Sequence, residues 1–430
     1  MTDGEGTAGV VRYSRPYLRY ALGVLVVVYA FNFIDRQIIV ILQESIKHDM
    51  GLTDGQLGLL SGLSFAIFYS ALGLPIARLA DRVNRRNVIA VSVAIWSLMT
   101  VASGLARSYG QLLAARIGVA IGEAGGSPPA HAIISDYFPP RERGRALSIY
   151  STGVYIGILF GFMAGGWMDV TFGWRTALLI VGVPGLLVAL VVRFTIREPA
   201  RGHSEGTAGA HQAPPLRTTL TMLWRLASFR YLALAAGFTT FVSYGTGNFG
   251  PSFLARSHHL GTVEIGILLG LIGGLGGIAG TYLGGYLGDR AGVRDMRWYL
   301  WIPAIALTIA LPLRITAYLV PDLRIVYPLL GGTELLFMTY LGPSIAVSHA
   351  LVTPSLRAFI SSILFFTFSL IGLGLGPLFT GLVSDQLSGR FGPDALRWAM
   401  AINCLAWIPA IGLYLRAAAA LPGDLTRRTA

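Results

Sequence analysis

The sequence predicts an all-α membrane protein of twelve transmembrane helices in two six-helix pseudo-repeats. Three observations carry the prediction. Of 430 residues, 54% are hydrophobic and 13% charged, against about 25% charged in soluble domains. Twelve mainly apolar runs reach the roughly 20 residues a helix needs to cross a bilayer. Glycines and prolines of the first half recur in the second at one fixed spacing.

The runs, spans 1 to 12, cover 18–46, 54–80, 87–106, 109–137, 143–169 and 174–196, then 229–256, 262–288, 296–318, 323–352, 356–387 and 394–419. Span 1 is too long for a secretion signal and contains Asp35-Arg36, so it is expected to remain as a helix. The expected organisation is a cytoplasmic segment 1–17, a bundle 18–196, a cytoplasmic linker 197–228, a second bundle 229–420 and a cytoplasmic tail 421–430. The linker is polar, as in Gly202-His203-Ser204-Glu205-Gly206-Thr207, and begins without helical periodicity.

Orientation follows from Lys and Arg at the span ends. With the N-terminus inside, cytoplasmic segments hold 23 of the 33, and the opposite face holds 8, among them Arg256 and Arg314. Only Arg36 and Arg116 remain within spans. Both termini are therefore expected in the cytoplasm, and the net charge of +12 calls for no nucleic acid. A compact multi-pass chain of this kind is expected as a monomer in the inner (plasma) membrane of a bacterium, among membrane lipids.

The repeat is specific. Pro128 matches Pro343, Pro139 matches Pro354, and Gly157, Gly161 and Gly166 match Gly372, Gly376 and Gly381, each 215 positions apart. Asp81-Arg82 returns as Asp289-Arg290, 208 positions on. Ordered matches at one offset fit parallel repeats with a binding site at their interface, a transporter architecture. The Gly157/Gly161 and Gly372/Gly376 spacings permit close backbone approach in spans 5 and 11.

A charge at the bilayer centre costs roughly 2.5–3.5 kcal/mol on insertion scales, so Asp35, Arg36, Arg116 and Glu123 call for a polar crevice. Asp35 lies about 13 Å below the outer end of span 1, and Arg116 about 12 Å below that of span 4. At matched depth the two are expected to pair if their helices are neighbours. Glu123 lies on nearly the same face as Arg116, about 10 Å nearer the middle. Burial disfavours its charged form and a nearby arginine favours it, so Glu123 and Asp35 are expected to carry protons. Arg36 and Arg116 would then hold substrate or exchange partners. On a plainer reading the four groups are an ion-pair network tying spans 1 and 4 together.

The second half offers one interior acid, Glu334 in span 10. Tyr244 and Asn248 share a face of span 7, and Phe65 and Tyr69 on span 2 and Tyr155 on span 5 are further cavity-lining residues. Charges in one half and a largely apolar interior in the other suit an amphipathic solute.

The loop after span 2 reads Ala77-Arg78-Leu79-Ala80-Asp81-Arg82-Val83-Asn84-Arg85-Arg86, and its second copy reads Gly285-Tyr286-Leu287-Gly288-Asp289-Arg290-Ala291-Gly292. Both resemble the G-x-x-x-D-R/K-x-G-x-R/K-R/K signature of the major facilitator superfamily, with Ala77 and Asn84 replacing glycines in the first copy. Asn32-Phe33-Ile34-Asp35-Arg36, Gly122-Glu123-Ala124, Ser135-Asp136-Tyr137-Phe138-Pro139-Pro140, Arg143-Gly144-Arg145-Ala146-Leu147-Ser148-Ile149-Tyr150 and Arg197-Glu198-Pro199 further resemble the Spinster family of lysolipid and sphingolipid carriers. These stretches cover the N-terminal half; the C-terminal half matches mainly in hydropathy and repeat positions. The resemblance implies the major facilitator fold, proton coupling through Asp35 and Glu123, and substrate binding or salt-bridge switching by Arg36 and Arg116. Asp81 would latch a cytoplasmic gate at a helix N-terminus, with Arg82, Arg85, Arg86, Arg145, Asp289 and Arg290 beside it. A solvated, topology-setting loop is the plainer reading there.

The expected function is thus secondary active transport of an amphipathic lipid such as a lysolipid or sphingolipid with protons, by alternating access. A multidrug exporter or an organic-anion symporter of the same fold, or a non-transporting membrane sensor, are the alternatives. A sensor would ordinarily carry a longer cytoplasmic extension than the few residues after Leu421. No enzyme, cofactor or metal site is expected. The single Cys404 excludes a disulfide framework. His131 and His349 lack metal-ligand spacing, and the Gly266–Gly280 glycines sit inside a span without a strand–helix unit.

Overall fold

The computed structural model describes residues 13–80, 82–201, 216–353 and 356–429. Among them there is no strand. The helices are α1 (Arg15–Ile41, prolonged by Gln43–Met50), α2 (Asp54–Ala80), α3 (Arg85–Gly104) and α4 (Tyr109–Glu123, then Ser127–Tyr137). The run Pro140–Thr195 holds α5 and α6, parted at Gly173 (φ 78°, ψ 160°), a backbone conformation open to glycine alone. Then follow α7 (Ala227–Asn248, then Gly250–His258), α8 (Thr262–Gly292), α9 (Trp298–Leu319) and α10 (Leu323–Ala350). Last come α11 (Arg357–Thr367 to Gly376–Phe391) and α12 (Ala395–Cys404, then Trp407–Thr429). Large apolar side chains stand exposed along α6, among them Leu187, Leu190 and Phe194, as a lipid-facing surface requires and a soluble one avoids.

Helix starts are written locally. Ser14, Thr53, Asn84 and Ser108 cap α1 to α4 with side-chain oxygens, and Thr53 with Gln56 forms a full capping box. The glycine repeat has a packing cause. A Cβ at Gly157 would stand 2.6 Å from the Ala30 carbonyl of α1, and one at Gly376 would strike that of Phe241 in α7. So α5 seats on α1 as α11 seats on α7. The glycines of α8 serve the same purpose: Gly266 and Gly270 face Phe162 and Leu159 of α5.

One boundary differs from expectation. The expected tail 421–430 is not free over its described residues, since α12 runs to Thr429 and Leu421 is fully buried. The carboxylate of Asp424 accepts from the backbone N–H and the hydroxyl of Ser228, both at 2.7 Å, which pins this end under the start of α7. The linker contains a helix, Leu216–Arg225, while 202–215 lie outside the described residues, as do 1–12, Asp81 and Pro354.

The apolar packing divides unevenly. Ile38, Ile39 and Leu42 of α1 belong to a core continuous with the second bundle, whereas Leu18, Leu22 and Leu25 belong to a separate one. Apolar packing between the bundles is therefore most extensive toward the face opposite the chain ends (the far face); toward the face that carries them (the terminal face) the first bundle has its own core, which Leu373 of α11 joins.

Candidate functional site

Four charged side chains of the first bundle converge in its interior. α4 breaks immediately after Glu123, where Ala124-Gly125-Gly126 turn before Ser127 restarts the helix. A carboxylate at that position meets the negative end of the helix dipole, so a cation beside it is stabilising. Arg36 of α1 supplies one: its Nε donates to Glu123 Oε2 at 2.6 Å. The Glu123 side chain is fully buried, and Arg36 keeps 16% exposure.

Aromatic rings of α1 and α2 frame this pair. The Arg36 guanidinium lies 4.8 Å from the ring centre of Tyr69, 4.9 Å from Phe65 and 5.3 Å from Phe33. Arg116 lies 5.7 Å from Phe65 as well. Phe65 thus serves two guanidinium groups, within the distance at which a ring face attracts a cation.

The expected pairing of Asp35 with Arg116 is not what the structure shows. Asp35 Oδ1 and Arg116 Nε and Nη1 are buried without hydrogen-bond partners, as is Glu123 Oε1. Successive helix residues point about 100° apart. With Arg36 turned to Glu123, Asp35 turns toward α3, where Thr100 is its polar neighbour. Leaving a buried polar group unpaired costs about 1–3 kcal/mol. Several such atoms in one place leave the cluster with unused bonding capacity.

Across the cleft, Tyr244 of α7 lies in the electrostatic range of Arg36 and Tyr69. Asn248, one turn on, donates to the Tyr244 carbonyl at 2.9 Å. Tyr155 of α5 meets Thr281 of α8 at 3.0 Å, a bond between the bundles. Glu334 has a partner that sequence reasoning placed at the outer face: Arg314 is buried in α9, 3.6 Å from the carboxylate. Arg314 also donates to the Tyr318 hydroxyl and to Thr333. The correction has a simple cause, since α9 continues past Arg314 to Leu319 and carries it inward of the helix end. A cavity of about 90 Å³ lies between these residues and Phe162 of α5, room for several waters.

At the terminal face the described gate residues bond within their own bundles or stand exposed. Arg85 donates to Asp136 at 2.6 Å, to Glu198 at 2.8 Å and to the Pro199 carbonyl, and the Arg86 backbone N–H donates to Glu198. Asp289 accepts from Tyr299, Arg290 donates to Tyr286, and Arg82 and Arg145 are exposed. Among the described residues, no hydrogen bond or ion pair joins the bundles inward of Tyr155 and Thr281.

The far face is the reverse, and sequence reasoning missed it. Arg256 at the end of α7 pairs with Glu44 of α1 at 2.5 Å and with Asp54 of α2 at 2.8 Å. Lys47 and Ser384 also donate to Asp54, at 2.6 and 2.7 Å. The Asp385 carboxylate of α11 accepts from the backbone N–H groups of Asp54 and Gly55, at 2.9 and 2.7 Å, so it caps the first turn of α2 from the other bundle. Among the described residues, the ion pairs that join the bundles all lie at the far face.

Comparison with known proteins fits this geometry. The family model of the Major Facilitator Superfamily matches residues 25–377. An MFS-type efflux pump of Mycolicibacterium smegmatis is 33% identical over 385 residues, 88% of this chain and 87% of that protein. Protein spinster homolog 1 of Mus musculus is 31% identical over 265 residues, 60% of this chain and 49% of that protein. A crystal structure of a bacterial homologue of the human lysosomal transporter Spinster, inward-facing and unoccupied, superposes with a TM-score of 0.89 at 34% identity. That match covers 96% of this chain and 99% of the other.

Proposed function

The chain belongs to the Major Facilitator Superfamily and, within it, to the Spinster family of transporters, and on that footing we propose a proton-coupled, alternating-access carrier of an amphipathic lipid such as a lysolipid or sphingolipid. The observation that carries this reading is the Arg36–Glu123 pair, with Arg36 reaching the cleft and Glu123 sealed from it.

Protonation of Glu123 removes the charge that holds Arg36. The guanidinium is then free to take an anionic head group arriving from the terminal face, which the proposed orientation makes cytoplasmic. Phe33, Phe65 and Tyr69 keep the cation in place meanwhile, and Arg116 receives whatever negative charge Glu123 or Asp35 regains. The tail would lie along the less charged second bundle, past Tyr244, with Tyr155 of α5 facing it from the first. Reversal of access needs the far-face bonds of Arg256 and Asp385 to open, with Asp81, Arg82, Asp289 and Arg290 as the residues available to join at the terminal face.

Reconstituted vesicles test this. A radiolabelled anionic lysolipid should cross under an imposed pH gradient, and Glu123→Gln should reduce that flux by about 100-fold, the lower end of the range for loss of a positioned proton-transfer group. Flux indifferent both to the gradient and to Glu123→Gln would sink the reading. The similarity to an efflux pump supports a second one, in which a cationic amphiphile competes with protons for Glu123 or Glu334. In that case the driving gradient has the opposite direction for a cationic drug, which the same vesicles would reveal.

A further inference from the structure

We propose that the wedge between the outer parts of α8 and α10, on the side away from the transport cleft, is a binding site for one membrane phospholipid with a primary ammonium head group. α8 and α10 pack closely only from the middle of the membrane inward. Gly276 faces Glu334 there, and Gly280 and Gly284 are seated against Leu335 and Thr339. Above this point α8 contains a π-helical turn, Ile272–Gly276, of the kind that shifts a helix axis and is frequent at functional sites.

The segment above the turn leaves a groove of about 530 Å³ beside α10, with Glu264 and Tyr327 at its mouth and Val263, Ile267, Leu268 and Leu271 along it. From Gly261 to Leu271 a helix rises about 15 Å, half of the roughly 30 Å hydrocarbon thickness. The groove is therefore one leaflet deep, which suits an acyl chain and not a spanning peptide.

Charge chooses the head group. Glu264 is exposed, and its one hydrogen bond among the described residues is a long one from the Tyr327 hydroxyl, 3.4 Å. A primary ammonium donates up to three hydrogen bonds to such a carboxylate, whereas a choline head has none to give. An anionic head is repelled. The site is remote from the Arg36–Glu123 cluster and does not depend on the transport reading.

Native mass spectrometry of the whole chain in mild detergent, with equal amounts of phosphatidylethanolamine, phosphatidylcholine and phosphatidylglycerol, decides the matter. Ethanolamine lipid should be retained about threefold over choline lipid, the preference an exposed ion pair supports. Glu264→Gln should abolish that preference while leaving thermal unfolding unchanged, and Glu264→Asp should keep part of it. Leu268→Trp, which fills the groove, should lower the retained count of ethanolamine lipid. Equal retention of the two zwitterionic lipids by the native chain would overturn the proposal, as would a preference that survives Glu264→Gln or goes to phosphatidylglycerol.

Discussion

The two ends of the cleft use the same residue types to opposite effect. At the far face, Arg256, Asp54, Glu44 and Asp385 bond from one bundle to the other. At the terminal face, Arg85, Asp136 and Glu198 bond within the first bundle. A charged cluster therefore says nothing by itself about gating. What matters is whether its partners belong to bodies that move apart. On the proposed alternating-access cycle the far-face bonds would break at every turnover, whereas those of Arg85 need never break.

This difference makes Arg256→Ala the substitution with the largest expected effect on conformation. It leaves Glu44 and Asp54 facing each other without the shared cation. Breaking a buried ion pair costs about 3–5 kcal/mol; with Arg256 17% exposed, the lower end applies. A cost of about 3 kcal/mol to the closed far face is roughly a 100-fold shift in the balance of states. Spin labels at Arg107→Cys and Arg390→Cys, in a Cys404→Ala background, should report a longer far-face distance in the variant. An unchanged distance distribution would remove the latch from the mechanism.

Asp385→Asn comes next. The amide oxygen still accepts one backbone N–H of α2, but the charge that faces the helix N-terminus is lost. Loss of a cap is worth about 0.5–2 kcal/mol, so the same label pair should show a shift of about tenfold in population, below that of Arg256→Ala. If Asp385→Asn opens the far face more than Arg256→Ala does, the helix cap rather than the ion pair is the principal tie.

The fold was legible because its causes are local or periodic. Apolar runs of spanning length set the helices, and the 215-residue recurrence of Gly157 and Gly161 as Gly372 and Gly376 reflects two equivalent helix seats. The positions of Asp35, Arg116 and Glu123 were legible because charge inside an apolar run is costly. Their pairing was not, because it depends on a rotation of about 100° between Asp35 and Arg36 and on the break after Glu123. Glu44, Asp54 and Asp385 were passed over because they sit at helix ends, where a solvated charge is the ordinary expectation. Arg314 was assigned to the wrong environment for the same reason.

Arg85→Ala should have the smallest effect on the state of the cleft, although Arg85 is more buried than Arg256, at 6% against 17% side-chain exposure. Its loss removes the bonds that Arg85 makes to Asp136, to Glu198 and to the Pro199 carbonyl, so the variant should unfold at a clearly lower temperature. All of those partners belong to the first bundle or to the residues directly following it. A change there lowers the stability of both conformations alike, and an equal change in two states shifts nothing between them. The Arg107→Cys and Arg390→Cys distance should stay where it is while the melting temperature falls. If the distance moves as well, Arg85 is coupled to gating after all, and the distinction between bonds within a bundle and bonds between bundles does not separate structural charges from working ones.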